Sequence, residues 1–251
     1  MRDEEVSLKN LAGEKLVGLE HSPDIQSSNC PAVLLVHGFY GDMDEWGMFK
    51  TFARLLTNKG FLVYRFDLSG CGRSEGDYSK TTLTKLAEDV RSILDFIKKR
   101  PAVDRRRLGL VGFSLGTSTI LALRPRDVKC LVFIGSVAHP YELLQLLFGE
   151  GFHPGGVSSR VTSKGQRVEM GPAFWADFQR HNLPRQMSKL KAPILFLHGE
   201  KDNVVPLREA EILLDAAAEP KELVLTPEDG HNLTNSLAGE QLTSWFEKYL
   251  K

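Results

Sequence analysis

Cysteine is scarce: the 251 residues hold three, Cys30, Cys71 and Cys130. An odd, scattered set without C-x-x-C spacing argues against a disulfide framework and a structural zinc site, and it fits a reducing compartment. Long apolar runs are missing as well. Nothing approaches the roughly 18 residues of a membrane span, and the first ten, MRDEEVSLKN, carry charge where a secretory signal would be apolar. Neither sign of charge dominates, since 32 Lys and Arg stand against 32 Asp and Glu. The longest basic run is Arg105-Arg106-Arg107, so no field draws nucleic acid or an anionic membrane. H-E-x-x-H and P-loop patterns do not occur. Gly70-Cys71-Gly72-Arg73-Ser74-Glu75-Gly76 misses the dinucleotide spacing by one residue and opens no apolar helix. Neither metal nor nucleotide cofactor is expected. The expectation is a cytoplasmic protein without integral membrane association, in which Asn232-Leu233-Thr234 carries no glycan.

Short apolar runs are what the chain has in quantity: AVLLVH (32–37), FLVYRFD (61–67), RLGLVG (107–112), KCLVFIG (129–135), PILFLHG (193–199) and ELVLTP (222–227). Because they are continuous rather than alternating, they read as strands buried on both faces, as in a parallel sheet. Two weaker runs, Val6 to Leu8 and Leu16 to Leu19, would add an antiparallel edge. Helical spacing separates the strands. It is clearest from Thr84 to Lys99, where Leu86, Val90, Ile93, Leu94 and Ile97 share a face before Arg100-Pro101 ends the turn, and it recurs from Glu45 to Asn58. The alternation predicts an α/β fold with a doubly wound, mostly parallel eight-stranded sheet and ligands at the carboxyl ends of its strands. About fifty residues replace the usual crossover helix between Ser136 and Ala192. Residues 1–136 and 192–251 are therefore read as the core and 137–191 as a small cap insertion. Within the cap, Tyr141 to Phe148 reads as a helix and 157–170 as a hairpin turning around Ser163 to Gln166.

The motif LGLVGFSLG (108–116) joins a buried strand to a helix through Ser114, between Gly112 and Gly116. A serine hydroxyl is a weak nucleophile, so an acyl-transfer enzyme must expose it on a sharp turn, supply a base and provide N–H donors for the oxyanion. The segment His37-Gly38-Phe39 directly follows the AVLLV strand, and the Phe39 and Leu115 N–H groups are the expected oxyanion donors. His37 precedes that turn and is read as orienting it. Asp202, just past the strand ending in LHG, suits an orienting carboxylate, and His231, in EDGHNL before the last helix, suits the base. The chain order Ser114, Asp202, His231 is that of an α/β hydrolase. His198 is read as structural, Asp229 as a turn residue and Cys71 as a small loop residue.

Together HGF, DLSGCGRSEG, GFSLG, HGEKD and DGH resemble the α/β-hydrolase superfamily in order and spacing, across nearly the whole chain. The short chain, the HGF loop and the helix-plus-hairpin insertion further resemble the small cinnamoyl or feruloyl esterases, and monoacylglycerol lipases and general carboxylesterases share much of the pattern. Thr117 departs from it, standing where such esterases often have glycine. The resemblance implies a serine carboxylesterase acting through an acyl-enzyme on small to medium, or aromatic, carboxylic esters, with a small-molecule ester as its partner and no cofactor. A monoacylglycerol lipase, thioesterase, amidase or peptidase would use the same triad, and a non-catalytic binding protein could keep the same fold. Tyr40, Tyr141, Leu144, Trp175 and Val205 are the expected pocket residues, against the alternative that cap aromatics only pack the insertion onto the core.

Overall fold

The computed structural model describes residues 1–24, 29–162 and 165–251. Strands β1 (Arg2–Lys9) and β2 (Lys15–Ser22) form an antiparallel ribbon at one edge, longer than their weak apolar pattern implies. There follow β3 (Cys30–Val36), helix α1 (Met48–Asn58), β4 (Leu62–Phe66), α2 (Leu83–Lys98), β5 (Val103–Phe113), α3 (Leu115–Leu123) and β6 (Cys130–Ile134). After the intervening segment, which holds two further strands, come β9 (Ile194–Gly199), α7 (Leu207–Ala216), β10 (Lys221–Thr226) and α8 (Ser236–Leu250). The eight-stranded sheet has the order β1-β2-β4-β3-β5-β6-β9-β10. β2 meets β4 antiparallel, and every ladder from β4 to β10 is parallel.

Both faces of the sheet are covered, which is why its central strands need no polar side. Alternate residues of β3 serve opposite layers: Leu34 packs with α2 and α3, whereas Val33 and Leu35 pack with Phe49, Phe52 and Phe246 of α1 and α8. α2 starts where Thr82 Oγ1 accepts the Lys85 N–H at 3.0 Å, a side-chain cap on an otherwise unpaired donor. α1 differs from its expected span. Glu45–Gly47 forms a separate 3-10 turn, because Glu45, Trp46 and Gly47 have φ of 43°, 52° and 91°, values an α-helix cannot hold.

The segment between β6 and β9 contains α4 (Pro140–Phe148), the strands β7 (Ser158–Val161) and β8 (Arg167–Met170), α5 (Pro172–Phe178) and α6 (Leu183–Met187). β7 and β8 pair antiparallel with Ser158 opposite Met170. Ser163 and Lys164, part of the turn expected between them, lie outside the described residues. Asp177 fixes α5 to α2 by accepting the Thr84 N–H and Oγ1–H at 2.7 and 2.9 Å. Trp175, 1% exposed, joins the rings of Tyr141, Phe148, Phe152 and Phe174 at centroid distances of 5.8, 5.2, 4.8 and 5.2 Å. No described helix is long and apolar enough to cross a membrane.

Candidate active site

Ser114 occupies a backbone conformation that side-chain-bearing residues rarely adopt, φ 51° and ψ −122°, between the last residue of β5 and the first of α3. The surroundings explain how it is held. Its N–H donates to Ile134 O at 2.8 Å, tying the turn to β6, and its carbonyl accepts from the Thr117 N–H and Oγ1–H at 2.9 and 2.7 Å. Thr117 Oγ1 also accepts the Val137 N–H at 3.1 Å, and Ser118 Oγ donates to Val137 O at 2.8 Å. The threonine that departs from the esterase pattern thus links the serine turn to the chain leaving β6. The flanking glycines meet close backbone: a Cβ on Gly116 would lie 2.3 Å from Val36 O, and one on Gly112 would lie 3.0 Å from Thr117 Cα.

Asp202 and His231 arrive from the ends of β9 and β10 and meet at 2.8 Å, His231 Nδ1 to Asp202 Oδ2. Asp202 Oδ1 accepts the Val204 and Val205 N–H groups, each at 2.9 Å, so both carboxylate oxygens are engaged. Burial by itself would raise the Asp202 carboxyl. The hydrogen bond and charge of His231, with the two N–H groups, outweigh it and hold the carboxyl below its ordinary value. Facing a carboxylate, Nδ1 is the nitrogen that carries the proton, which leaves Nε2 as the basic site. The imidazole packs on the Phe113 ring at a centroid distance of 4.7 Å and on Gly135, where a Cβ would be 2.9 Å from His231 Cε1.

His198 lies beneath this pair. Its Nε2 is 3.1 Å from Val205 O and 3.7 Å from Asp202 Oδ2, and burial holds the ring below its ordinary value, so it stays neutral and steadies the Asp202 loop. Asp229 accepts the Thr234 and Asn235 N–H groups at 2.9 and 3.1 Å, closing the loop that carries His231. Burial pushes the Cys71 thiol well up, the opposite of what a thiolate nucleophile needs.

On the other side of Ser114 runs the β3–α1 loop. A Cβ on Gly38 would lie 3.1 Å from Ser114 Cβ, so the loop backbone passes directly over the serine. His37 bridges this turn, Nδ1 donating to Gly38 O at 3.0 Å and Nε2 accepting the Leu68 N–H at 3.0 Å. Burial holds that ring below its ordinary value too. Glu45, 1% exposed, accepts the Gly38 N–H at 2.6 Å, and Tyr78 accepts the Tyr40 N–H at 2.9 Å. The N–H groups of Phe39 and Leu115 donate to no acceptor among the described residues.

A cavity of about 220 Å³ opens onto these groups, with Phe39, Tyr40, Ser114 and His231 in its wall. Of the expected pocket residues it contains Tyr40 alone. Trp175 is held in the aromatic cluster and Leu144 in the main core, both buried, and Val205 is buried against Val137 and Leu143, its neighbour Val204 facing the cavity instead. Tyr141 faces a second cavity of about 560 Å³, beside His139 and Phe178, that contains none of Ser114, Asp202 and His231. The wall is completed by residues the sequence gave no reason to choose: Glu45 and Trp46 of the strained turn, and Leu147, Arg160, Thr162 and Gln166 of the β6–β9 segment.

A sequence profile of the Alpha/beta hydrolase family matches residues 33–242, and the chain belongs to that family. Solved structures agree on the fold. The esterase domain of a Rhodothermus marinus protein superposes with a TM-score of 0.79 at 26% identity, each chain covered over 100% of its length. Est1E from Butyrivibrio proteoclasticus, solved with ferulic acid bound, superposes with a TM-score of 0.85 at 22% identity over 97% of this chain and 98% of that one. Among curated relatives, an uncharacterized protein of Salmonella typhi, YfhR, is 28% identical over 201 residues, 79% of this chain and 63% of YfhR. The chain thus spans less than two thirds of that relative's length.

Proposed function

We propose that this protein is a serine carboxylesterase that cleaves small to medium carboxylic esters through an acyl-enzyme. The observation that carries the reading is the strained Ser114 turn sharing a cavity with His231, whose other ring nitrogen is bound to buried Asp202 at 2.8 Å. Ser114 Oγ attacks the ester carbonyl carbon while His231 Nε2 takes its proton. Asp202 keeps the imidazole in the required tautomer and stabilises the imidazolium that forms. The uncommitted Phe39 and Leu115 N–H groups hold the carbonyl oxygen as it becomes an oxyanion. Collapse expels the alcohol, protonated by His231, and water activated by the same histidine then releases the acid from Ser114.

The test is hydrolysis of p-nitrophenyl esters from acetate to palmitate, with methyl ferulate included because Est1E holds ferulic acid. The cavity of about 220 Å³ favours short acyl groups. Ser114→Ala and His231→Ala are each expected to lower kcat by about 10⁵- to 10⁶-fold, and Asp202→Asn by about 10⁴-fold. Wild-type protein, but not Ser114→Ala, should be labelled by a fluorophosphonate. A Ser114→Ala protein with near-normal turnover would overturn the assignment.

A further inference from the structure

Arg160 lies in β7 and lines the same cavity as Ser114 and His231. Its guanidinium stands over the Phe148 ring, Cζ 6.0 Å from the centroid. A contact of this kind with a ring consumes none of the hydrogen bonds that a guanidinium can donate. Among the described residues the buried Nε has no hydrogen-bond partner and no carboxylate forms an ion pair with Arg160. Burial alone acts on its titration, pulling it below its ordinary value with no neighbouring charge to counter the effect. An unpaired, partly desolvated cation is costly to hold. The cost is recovered when an anion enters.

The other ionic group of the cavity wall, Glu45, sits in the β3–α1 loop and accepts the Gly38 N–H. The two charges therefore belong to different walls, the acid beside the oxyanion loop and the base on the hairpin. Thr162 and Gln166 add neutral polar groups on the hairpin side. An elongated substrate with one anionic end is oriented by this arrangement: the anion goes to the hairpin, and its ester reaches Ser114.

We propose that the preferred substrates are esters bearing a terminal anionic group, a carboxylate or a phosphate-like oxyanion, which Arg160 binds through its planar fork of N–H donors. This rests on the esterase reading and names its substrate class.

Three esters of matched length test it: monoethyl adipate, ethyl 5-phosphonopentanoate and neutral ethyl hexanoate, each followed by ethanol release. Wild type is expected to favour at least one anionic ester over ethyl hexanoate, and the better of the two identifies the anion. Arg160→Gln should lower kcat/KM for that ester by about 10- to 100-fold, a loss at least tenfold greater than its loss on ethyl hexanoate. Arg160→Lys, which keeps charge without the fork, should fall between. Equal losses on charged and neutral esters would show a merely structural role and overturn the proposal while the esterase reading stands. Calorimetric binding of both anionic esters to Ser114→Ala, with and without Arg160→Gln, separates the two readings. Arg160-dependent binding without wild-type turnover would retain the anion site and sink the esterase, and absence of binding together with absence of any anionic preference would overturn the site.

Discussion

Gly135 shows how narrowly the histidine is placed. It directly follows β6 with φ 53°, and a Cβ there would lie 2.9 Å from His231 Cε1 and 3.1 Å from Nδ1. Gly135→Ala meets both a left-handed backbone, at a cost of about 1–2 kcal/mol, and the imidazole itself. Displacing the base by a fraction of an ångström is expected to lower kcat by about 100-fold, while circular dichroism still reports a folded protein. Wild-type kcat in that variant would mean that His231 is not seated against β6 in the working enzyme. Nothing in the sequence marks Gly135 as special, because its neighbour in space lies 96 residues further along the chain, at position 231.

The β3–α1 loop behaves as one element, anchored from below by Glu45 and from the side by Tyr78. The Phe39 ring meets Phe148 and Phe174 at 5.9 and 6.1 Å, so this loop and the β6–β9 segment share a packing surface. Glu45→Ala strands the Gly38 N–H without an acceptor, a loss of about 1–3 kcal/mol, and frees the backbone that carries Phe39. The expected outcome is a kcat lowered by roughly 10- to 100-fold, with Glu45→Gln, which retains an oxygen acceptor, closer to wild type. Steady-state kinetics on one short ester decides it, and equal activity in the Ala and Gln variants would show that the carboxylate does not position the loop. The contact of α3 on β3 gives a purely structural counterpart. With Val36 O only 2.3 Å from its Cβ, Gly116→Ala should lower the unfolding free energy by about 1–3 kcal/mol in a urea titration. The helix itself was legible from GFSLG, since a strand run, a small-residue turn and an apolar helix leave one arrangement open. The strained turn at Glu45–Gly47 was not, because its residues fit helical spacing and the contact from the Glu45 carboxylate to the Gly38 N–H is made only in the folded chain.

Across the whole molecule, four histidines, His21, His37, His181 and His198, are held below their ordinary value of 6.5, each chiefly by burial. A base with a depressed native value is neutral when folded but takes a proton when unfolded, so the unfolded chain binds more protons once the pH drops below about 6.5. Stability should therefore hold above neutrality and decline from pH 7 to 5. A second decline, below about pH 4, is expected from Asp202, whose native value is also lowered and whose contribution is lost as pH falls through it. Asp89, raised by burial, works in the opposite direction: its gain lies above about pH 4, where it partly offsets the decline set by the histidines. Urea midpoints at pH 8, 7, 6 and 5 provide the check, and a midpoint that stays level through pH 5 would contradict the burial of these rings.

What the sequence determined by itself was the fold and the chain order of the candidate triad. Continuous Val, Ile, Leu and Phe runs bury both faces of a strand, and punctuation by helical periods leaves a parallel, doubly wound sheet as the solution that covers them. Ser114, Asp202 and His231 follow from that, since each lies just past the carboxyl end of a recognisable strand, where such sheets gather their chemistry. The wall of the cavity was decided only by tertiary structure. Trp175 and Leu144 went to the core because large apolar side chains gain most by burial, which left the facing positions to Leu147, Arg160 and Gln166. Which side chains of the β6–β9 segment look inward depends on how its hairpin comes to face Ser114 and His231, and no local periodicity records that path.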